Sequence, residues 1–254
     1  MTLDVIIPIY NESEIIEKSI KVFYKKINKF VSLKEWNFIL VENGSTDDSF
    51  KKILKLKKSI KNIKVSKIKK SNYGASLKAG CLLSKSDYIL IMNADHVWDN
   101  NFFKWCWKYK HKFDIIIGSK RSDPILNKQS MYRKILSGVL NLFLNFFLNS
   151  VLADTHGMKL LNRKNVLKEI KKCQLTRGQF DTELALRLTR GGYRVVELPV
   201  PYIEKRNSRN LMIRKILQNI FDIFKLIKIF KTIKVKSTVK YRRYSRNDVL
   251  NLYV

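Results

Sequence analysis

The chain has 254 residues and a 45% hydrophobic composition, enough for one large domain with its own core and too apolar to be a disordered chain. Its 51 Lys and Arg against 21 Asp and Glu give a formal net charge of +30, a field that attracts nucleic acid, acidic lipid or phosphorylated substrate without choosing among them. The three cysteines, Cys81, Cys106 and Cys173, lack the spacing of a zinc site or disulfide frame, and no apolar run reaches the ~20 residues of a membrane-spanning helix.

Met1 leads directly into LDVIIPIY (3–10), so a secretory leader is not expected, and this continuous apolar run is the pattern of a strand buried on both faces. A helical pattern follows from Glu12 to about Val31. NFILVE (37–42) reads as a second strand, and STDDSFKKILKLKK (45–58) as a helix with Ser45 or Thr46 as its N-cap. IKVSKI (63–68), a helix from Tyr73, YILIMN (88–93), a helix from Asn101 and DIIIG (114–118) continue the alternation. Strands alternating with helices predict right-handed crossovers and a mostly parallel sheet, whose ligands gather beyond the carboxyl ends of its strands. Three polar clusters fall at such ends: Tyr10-Asn11-Glu12, Glu42-Asn43-Gly44-Ser45 and Asn93-Ala94-Asp95, the last followed by His96 and Asp99.

The second half is less regular. An apolar helix from Ser130 to Leu152 carries a thin polar stripe of Ser137, Asn141, Asn145 and Asn149, and half or more of it reads as ordinary core. A strand near 158–162, a helix over 180–191 and a strand over 193–200 follow. Over 210–230, Ile213, Ile216, Leu217, Ile220, Phe224 and Ile227 share one helical face, opposite Arg214, Lys215, Gln218, Asp222 and Lys225. The segment 231–246 is basic, and the chain shows no internal repeat.

The segments VIIPIYNE (5–12), LVENGSTDDS (40–49), SNYGASLKAG (71–80), ILIMNAD (89–95), IIGSKR (116–121), MYRKILS (131–137), DTHGMKLLNR (154–163) and GQFDTELALRLTRGGYRVVELPV (178–200) stand in an informative order. With them the chain resembles the family 2 glycosyltransferases, in particular the polyprenyl-phosphate (dolichyl-phosphate) mannosyl- and glucosyltransferases, from about residue 3 to 210. The resemblance implies an A-type glycosyltransferase fold: a Rossmann-like α/β domain whose mostly parallel sheet is flanked by helices. The implied organisation is a catalytic domain over 1–208, with a nucleotide-sugar half (1–120) and an acceptor half (121–208). An amphipathic helix and basic tail over 209–254 would lie on an acidic membrane surface.

By the family pattern Pro8, Tyr10 and Glu12 line the nucleotide pocket, with Val41, Glu42 and Asn43 against base and ribose. Glu42-Asn43 replaces the usual pair of aspartates, which leaves the base open between GDP and UDP. Gly74 lets the backbone approach the donor, at a helix N-terminus suited to diphosphate, with Asn72 bracing the turn. The Asp-x-Asp motif is Asn93-Ala94-Asp95 here, so Mg²⁺ or Mn²⁺ would be held by Asp95, the Asn93 amide oxygen and the diphosphate; His96 reads as a loop residue rather than a further ligand. Lys120, Arg121, Arg133, Ser137 and Arg206 are implied phosphate contacts, Lys120 on the donor and the others toward the acceptor. Asp154 takes the place of the family's general base, in a motif one residue short, and Asp181 and Glu183 are candidates to orient the sugar.

The function implied is inverting transfer of a hexose from a GDP- or UDP-linked donor to a polyprenyl phosphate, on the cytosolic face of the membrane. A membrane-protein partner or a second copy stays open as an anchor. A sugar hydroxyl as acceptor and a non-catalytic scaffold remain the alternatives. A nucleic-acid partner is not expected, because the basic residues scatter without aromatic interleaving.

Overall fold

The structure, a computed structural model, describes residues 1–29, 35–203, 212–233 and 238–251. In chain order its elements are β1 (Thr2–Ile9), α1 (Ile16–Asn28), β2 (Glu35–Glu42), α2 (Ser49–Ser59), β3 (Ile63–Lys67), α3 (Tyr73–Leu83), β4 (Tyr88–Ile91), α4 (Asn100–Tyr109), β5 (Ile115–Ser119) and β6 (Asn127–Lys128). There follow α5 (Met131–Leu148), β7 (Lys159–Asn162), α6 (Arg163–Lys172), α7 (Phe180–Arg190), β8 (Val195–Pro199), β9 (Tyr202–Ile203), α8 (Met212–Lys231), β10 (Tyr241–Arg243) and α9 (Arg246–Asn251). They form two compact units, Met1–Trp98 with Met158–Phe180, and Asp99–Gly157 with Asp181–Val254.

In the first unit β1 pairs in parallel with β2 and β4, β2 pairs in parallel with β3, and β7 runs antiparallel to β4. The apolar run of β1 is buried from Leu3 to Ile9, as a central parallel strand should be. Asp4 is the exception inside it. Its carboxylate accepts hydrogen bonds from Asn37, the Ser84 hydroxyl and the amides of Lys85 and Ser86, which fixes the chain leaving α3 at the foot of the sheet. Helix α3 lies close on β1, because Gly80 has no Cβ; one there would stand 2.5 Å from Ile6 Cγ2. Lys78 on α3 donates to the carbonyls of Lys171 and Cys173 and so caps α6.

In the second unit β8 pairs in parallel with β5 on one side and β10 on the other, and β6 pairs with β9. Arg190, at the end of α7, is buried and donates to the carbonyls of Leu148 and Phe230 at 2.6 and 3.0 Å, joining the ends of α5 and α8.

The expected α/β alternation and mostly parallel sheet are present, and four sequence expectations need correction. Helix α2 starts at Ser49, not at Ser45 or Thr46, because those two residues bond instead to the Tyr10–Glu12 loop. Helix α5 is not mostly core: Leu144 and Leu148 are buried, whereas Met131, Ile135, Val139, Leu142, Phe146 and Phe147 are exposed. On α8 the inward face carries Asp222, Leu226 and Phe230, so Asp222 does not belong to a solvent face, and Phe221 and Phe224 point outward. Part of the basic tail is built into the fold, since residues 241–243 form β10 beside β8.

Candidate active site

The three polar clusters of the first unit do meet at one sheet edge. Pro8 is level with Val41 and Ile9 with Glu42, while Ile91 is level with Ile6, so Asn93 leaves the sheet beside the ends of β1 and β2. Asn11 adopts a left-handed backbone conformation (φ 52°) and its side-chain oxygen accepts from the Thr46 amide at 2.8 Å. The amides of Asn11, Glu12 and Ser13 donate in turn to Ser45, Ser49 and Asp47, so the first two loops are laced together. Burial raises the Asp47 carboxyl, but the hydrogen bonds from Ser49 and Ser13 outweigh it and hold it at about 2.

Asn43 is buried and its Oδ1 accepts from the Asn72 amide at 2.6 Å, linking the end of β2 to the start of α3. Asn72 caps that helix through Ala75 N. The close approach that Gly74 permits is to protein: a Cβ there would lie 2.3 Å from the Arg177 carbonyl oxygen, and Ala75 N donates to the Thr176 carbonyl at 2.6 Å. The Ala75 amide is therefore engaged within the protein. Val41 and Ala94 are likewise buried, as is Pro8, so their side chains offer no surface; Tyr10 is exposed. Glu12 and Glu42 are buried, and one Glu42 oxygen accepts from the Ser45 amide.

At the end of β4, Asn93 and Asp95 are both half-buried. The Tyr73 phenol donates to Asn93 Oδ1 at 3.2 Å, and the Asn93 amide donates to His96 Nδ1 at 3.1 Å. A ring nitrogen that accepts from an amide carries no proton, so the His96 proton sits on Nε2 and Nδ1 has no lone pair to spare for a metal. Asp99 caps α4 through the Asn101 amide and lies in the second unit.

In the second unit Asp154 is buried in a turn. Its Oδ1 accepts from His156 N at 3.0 Å, and its Oδ2 accepts from Lys120 N at 3.2 Å, with Lys120 Nζ 3.9 Å away. The shortened motif still closes, because Gly157 abuts the Gly118 carbonyl where a Cβ would stand 1.7 Å from the oxygen. Arg121 Nη1 donates to Ser137 Oγ at 2.7 Å, so these two expected acceptor residues are together. Arg133 stands on α5 one turn before Ser137, its side chain outside the described residues, as is Arg206 altogether. Asp181 and Glu183 open α7 and are buried; Glu183 forms a 2.8 Å ion pair with Arg187.

A family model, glycosyl transferase family 2, matches residues 4–171. The chain belongs to this family. It is a glycosyltransferase with the A-type fold. Among curated relatives it is similar to a dolichyl-phosphate beta-glucosyltransferase of Dictyostelium discoideum, 25% identical over 240 residues that cover 88% of this chain and 73% of that protein. It is also similar to an undecaprenyl-phosphate 4-deoxy-4-formamido-L-arabinose transferase of Salmonella paratyphi B, 26% identical over 207 residues, 80% of this chain but 60% of that protein. Among solved structures, glucosyl-3-phosphoglycerate synthase of Mycobacterium tuberculosis with UDP superposes with a TM-score of 0.61 at 16% identity, over 89% of this chain and 80% of that one. A mannosyltransferase of Pyrobaculum calidifontis in complex with GDP-Man and Mn²⁺ gives 0.60 at 17%, over 88% of this chain and 64% of that one. At such identities these two matches show the fold.

For a divalent ion, the glycosyltransferase offers one carboxylate and one amide oxygen two residues apart. Among the described residues no group of three or more His, Cys, Asp or Glu could hold a metal alone. Two hard oxygen donors fit Mg²⁺ or Mn²⁺ when the diphosphate supplies further ligands. Sequence reasoning missed Tyr73, which orients Asn93, and Glu197, which accepts from the amides of Ala153 and Asp154. Glu197 was visible in principle as the lone acid of an apolar strand, since a buried charge must have partners.

Proposed function

We propose that this glycosyltransferase moves a hexose from a GDP- or UDP-linked donor to a polyprenyl phosphate, with inversion, on a membrane surface. The observation that carries the acceptor class is the alignment, over 88% of this chain, with a glucosyltransferase whose acceptor is dolichyl phosphate. In this reading an acceptor phosphate oxygen attacks the anomeric carbon opposite the donor. The new bond joins that carbon to the phosphate oxygen, and the bond to the diphosphate breaks. The phosphate is already anionic, so Asp154 has only to orient it and take any remaining proton. Lys120, Arg121 and Ser137 supply positive charge and a hydroxyl for phosphate oxygens, with Arg133 and Arg206 as further candidates. On the donor side Tyr10, Glu12, Glu42 and Asn43 are the nucleotide candidates, and Asp181 serves the sugar ahead of Glu183, which is committed to Arg187. Asn93 and Asp95 would hold Mg²⁺ or Mn²⁺, which supplies charge neutralisation at the leaving diphosphate.

The exposed stripe of α5 supports work at a lipid surface. Met131, Ile135, Val139, Leu142 and Phe146 recur on one side of the helix, which carries no acidic residue, and Lys134 beside them is exposed. On α8, which packs against α5, Phe221 and Phe224 are exposed together with Lys225 and Lys228. An apolar strip bordered by cations suits an anionic leaflet; a second copy would bring like charge against like. Among the described residues no helix is long and apolar enough to cross a membrane.

The test is incubation with a panel of labelled nucleotide sugars and a short polyprenyl phosphate, with Mg²⁺, with Mn²⁺ and with chelator. One donor should yield a single labelled, chelator-sensitive glycolipid. Nucleotide binding without any labelled lipid would move the acceptor to a sugar hydroxyl, and no nucleotide binding at all would leave the scaffold reading.

A further inference from the structure

Glu197 stands wholly buried on β8 in the run VVELP. A buried carboxylate is tolerated only when donors surround it. Glu197 Oε1 accepts from the Asp154 amide at 2.8 Å and the Ala153 amide at 3.1 Å. Its Oε2 accepts from Ala153 N at 3.0 Å, from the Tyr241 phenol and from Arg243 Nε at 3.2 Å. Arg243 also reaches the same loop directly, donating through Nη2 to the Val151 carbonyl at 2.9 Å. Burial pushes the Glu197 carboxyl up, while Tyr241, the two amides and Arg243 draw it back.

These contacts converge on a segment, residues 149–157, with no helix or strand of its own. No backbone ladder runs through this segment: the Asp154 side chain is held by the amides of His156 and Lys120, and the main chain that carries it is held by one carboxylate beneath two consecutive amides. That carboxylate is itself braced by β10, far along the chain and beyond residues 4–171 that the family model matches.

We propose that Glu197 is the positioning residue for Asp154, and that Tyr241 and Arg243 of the C-terminal strand complete the device. The last strand is then part of the reaction machinery rather than a tail that only adds edge pairing. The kinetic half of the proposal rests on the reading of Asp154 as the group that meets the acceptor; the structural half does not.

The test uses the full chain and two variants, Glu197→Gln and Tyr241→Phe. The second removes one hydroxyl and leaves the main-chain pairing of β10 with β8 intact. Amide hydrogen exchange at Ala153 and Asp154 should quicken about tenfold in Tyr241→Phe and more in Glu197→Gln, while exchange in α7 and β1 stays as in the wild type. With the donor the wild type uses, kcat should fall about tenfold in Tyr241→Phe and about 100-fold in Glu197→Gln, with donor KM and nucleotide affinity changed less than about twofold. Unchanged exchange at these two amides in folded variants overturns the proposal, and so does faster exchange with an unchanged kcat. If Glu197→Gln does not fold, Tyr241→Phe decides alone. If the wild type transfers no sugar to lipid phosphate, the functional reading fails, and the exchange data still decide whether Glu197 sets the loop.

Discussion

The Tyr73 phenol donates to the side-chain oxygen of Asn93 at 3.2 Å, so the residue standing where the family has its first aspartate is held by the first residue of α3. The bond fixes the amide with its oxygen as acceptor and turns a neutral side chain into an oriented dipole. One carboxylate, Asp95, then carries the whole formal charge of the motif.

That arrangement predicts weak but real metal dependence. Asp95→Ala should lower the transfer rate at least about 100-fold, and Asn93→Asp should lower the Mg²⁺ or Mn²⁺ concentration for half-maximal rate about tenfold, because a second carboxylate joins the first. Metal titrations of both variants check this. Full activity in Asp95→Ala would remove Asp95 from the mechanism.

Arg190→Met should destabilise the second unit by about 3 kcal/mol, since it removes charge-assisted hydrogen bonds to two buried carbonyls, those of Leu148 and Phe230, while keeping side-chain volume. Urea denaturation with probes on α5 and α8 measures it. Little change would show that water replaces the guanidinium there.

Much of this was legible in the sequence and some was not. Continuous apolar runs marked β1, β2 and β4, and the polar residues after them marked the sheet edge, because a parallel strand must be buried on both faces and can turn polar only where it ends. Helix α5 was misread because its apolar circumference looks the same whether it faces protein or lipid; only the placement of Leu144 and Leu148 shows which side is core. Strand β10 was hidden in a basic run, since Tyr241 and Arg243 are recruited by one distant carboxylate and not by any periodicity.

The exposed stripe of α5 predicts binding to vesicles containing anionic phosphatidylglycerol and weak binding to neutral phosphatidylcholine alone. Leu142→Ser with Phe146→Ser should reduce flotation with anionic vesicles about tenfold or more, given roughly 1.5–3 kcal/mol for burying each such side chain. Unchanged flotation would place the lipid contact elsewhere.

Acid stability should reflect Asp47. Its carboxyl sits at about 2 in the folded chain against an ordinary 3.8, so its contribution is present in full above pH 3.8 and is lost as the pH falls toward 2. Asp47→Asn should therefore be less stable than the wild type near neutrality, and the gap should narrow below pH 3.8. Melting temperatures across that window read it out. A gap independent of pH would assign the effect to shape rather than charge.

Phosphorus NMR of the acceptor during turnover distinguishes transfer to a lipid phosphate from transfer to any other acceptor. The polyprenyl phosphate monoester signal should give way to a phosphodiester signal in step with release of nucleoside diphosphate, and the product should carry an anomeric configuration opposite to that of the donor. A monoester signal that persists while sugar is transferred elsewhere would contradict transfer to the lipid phosphate.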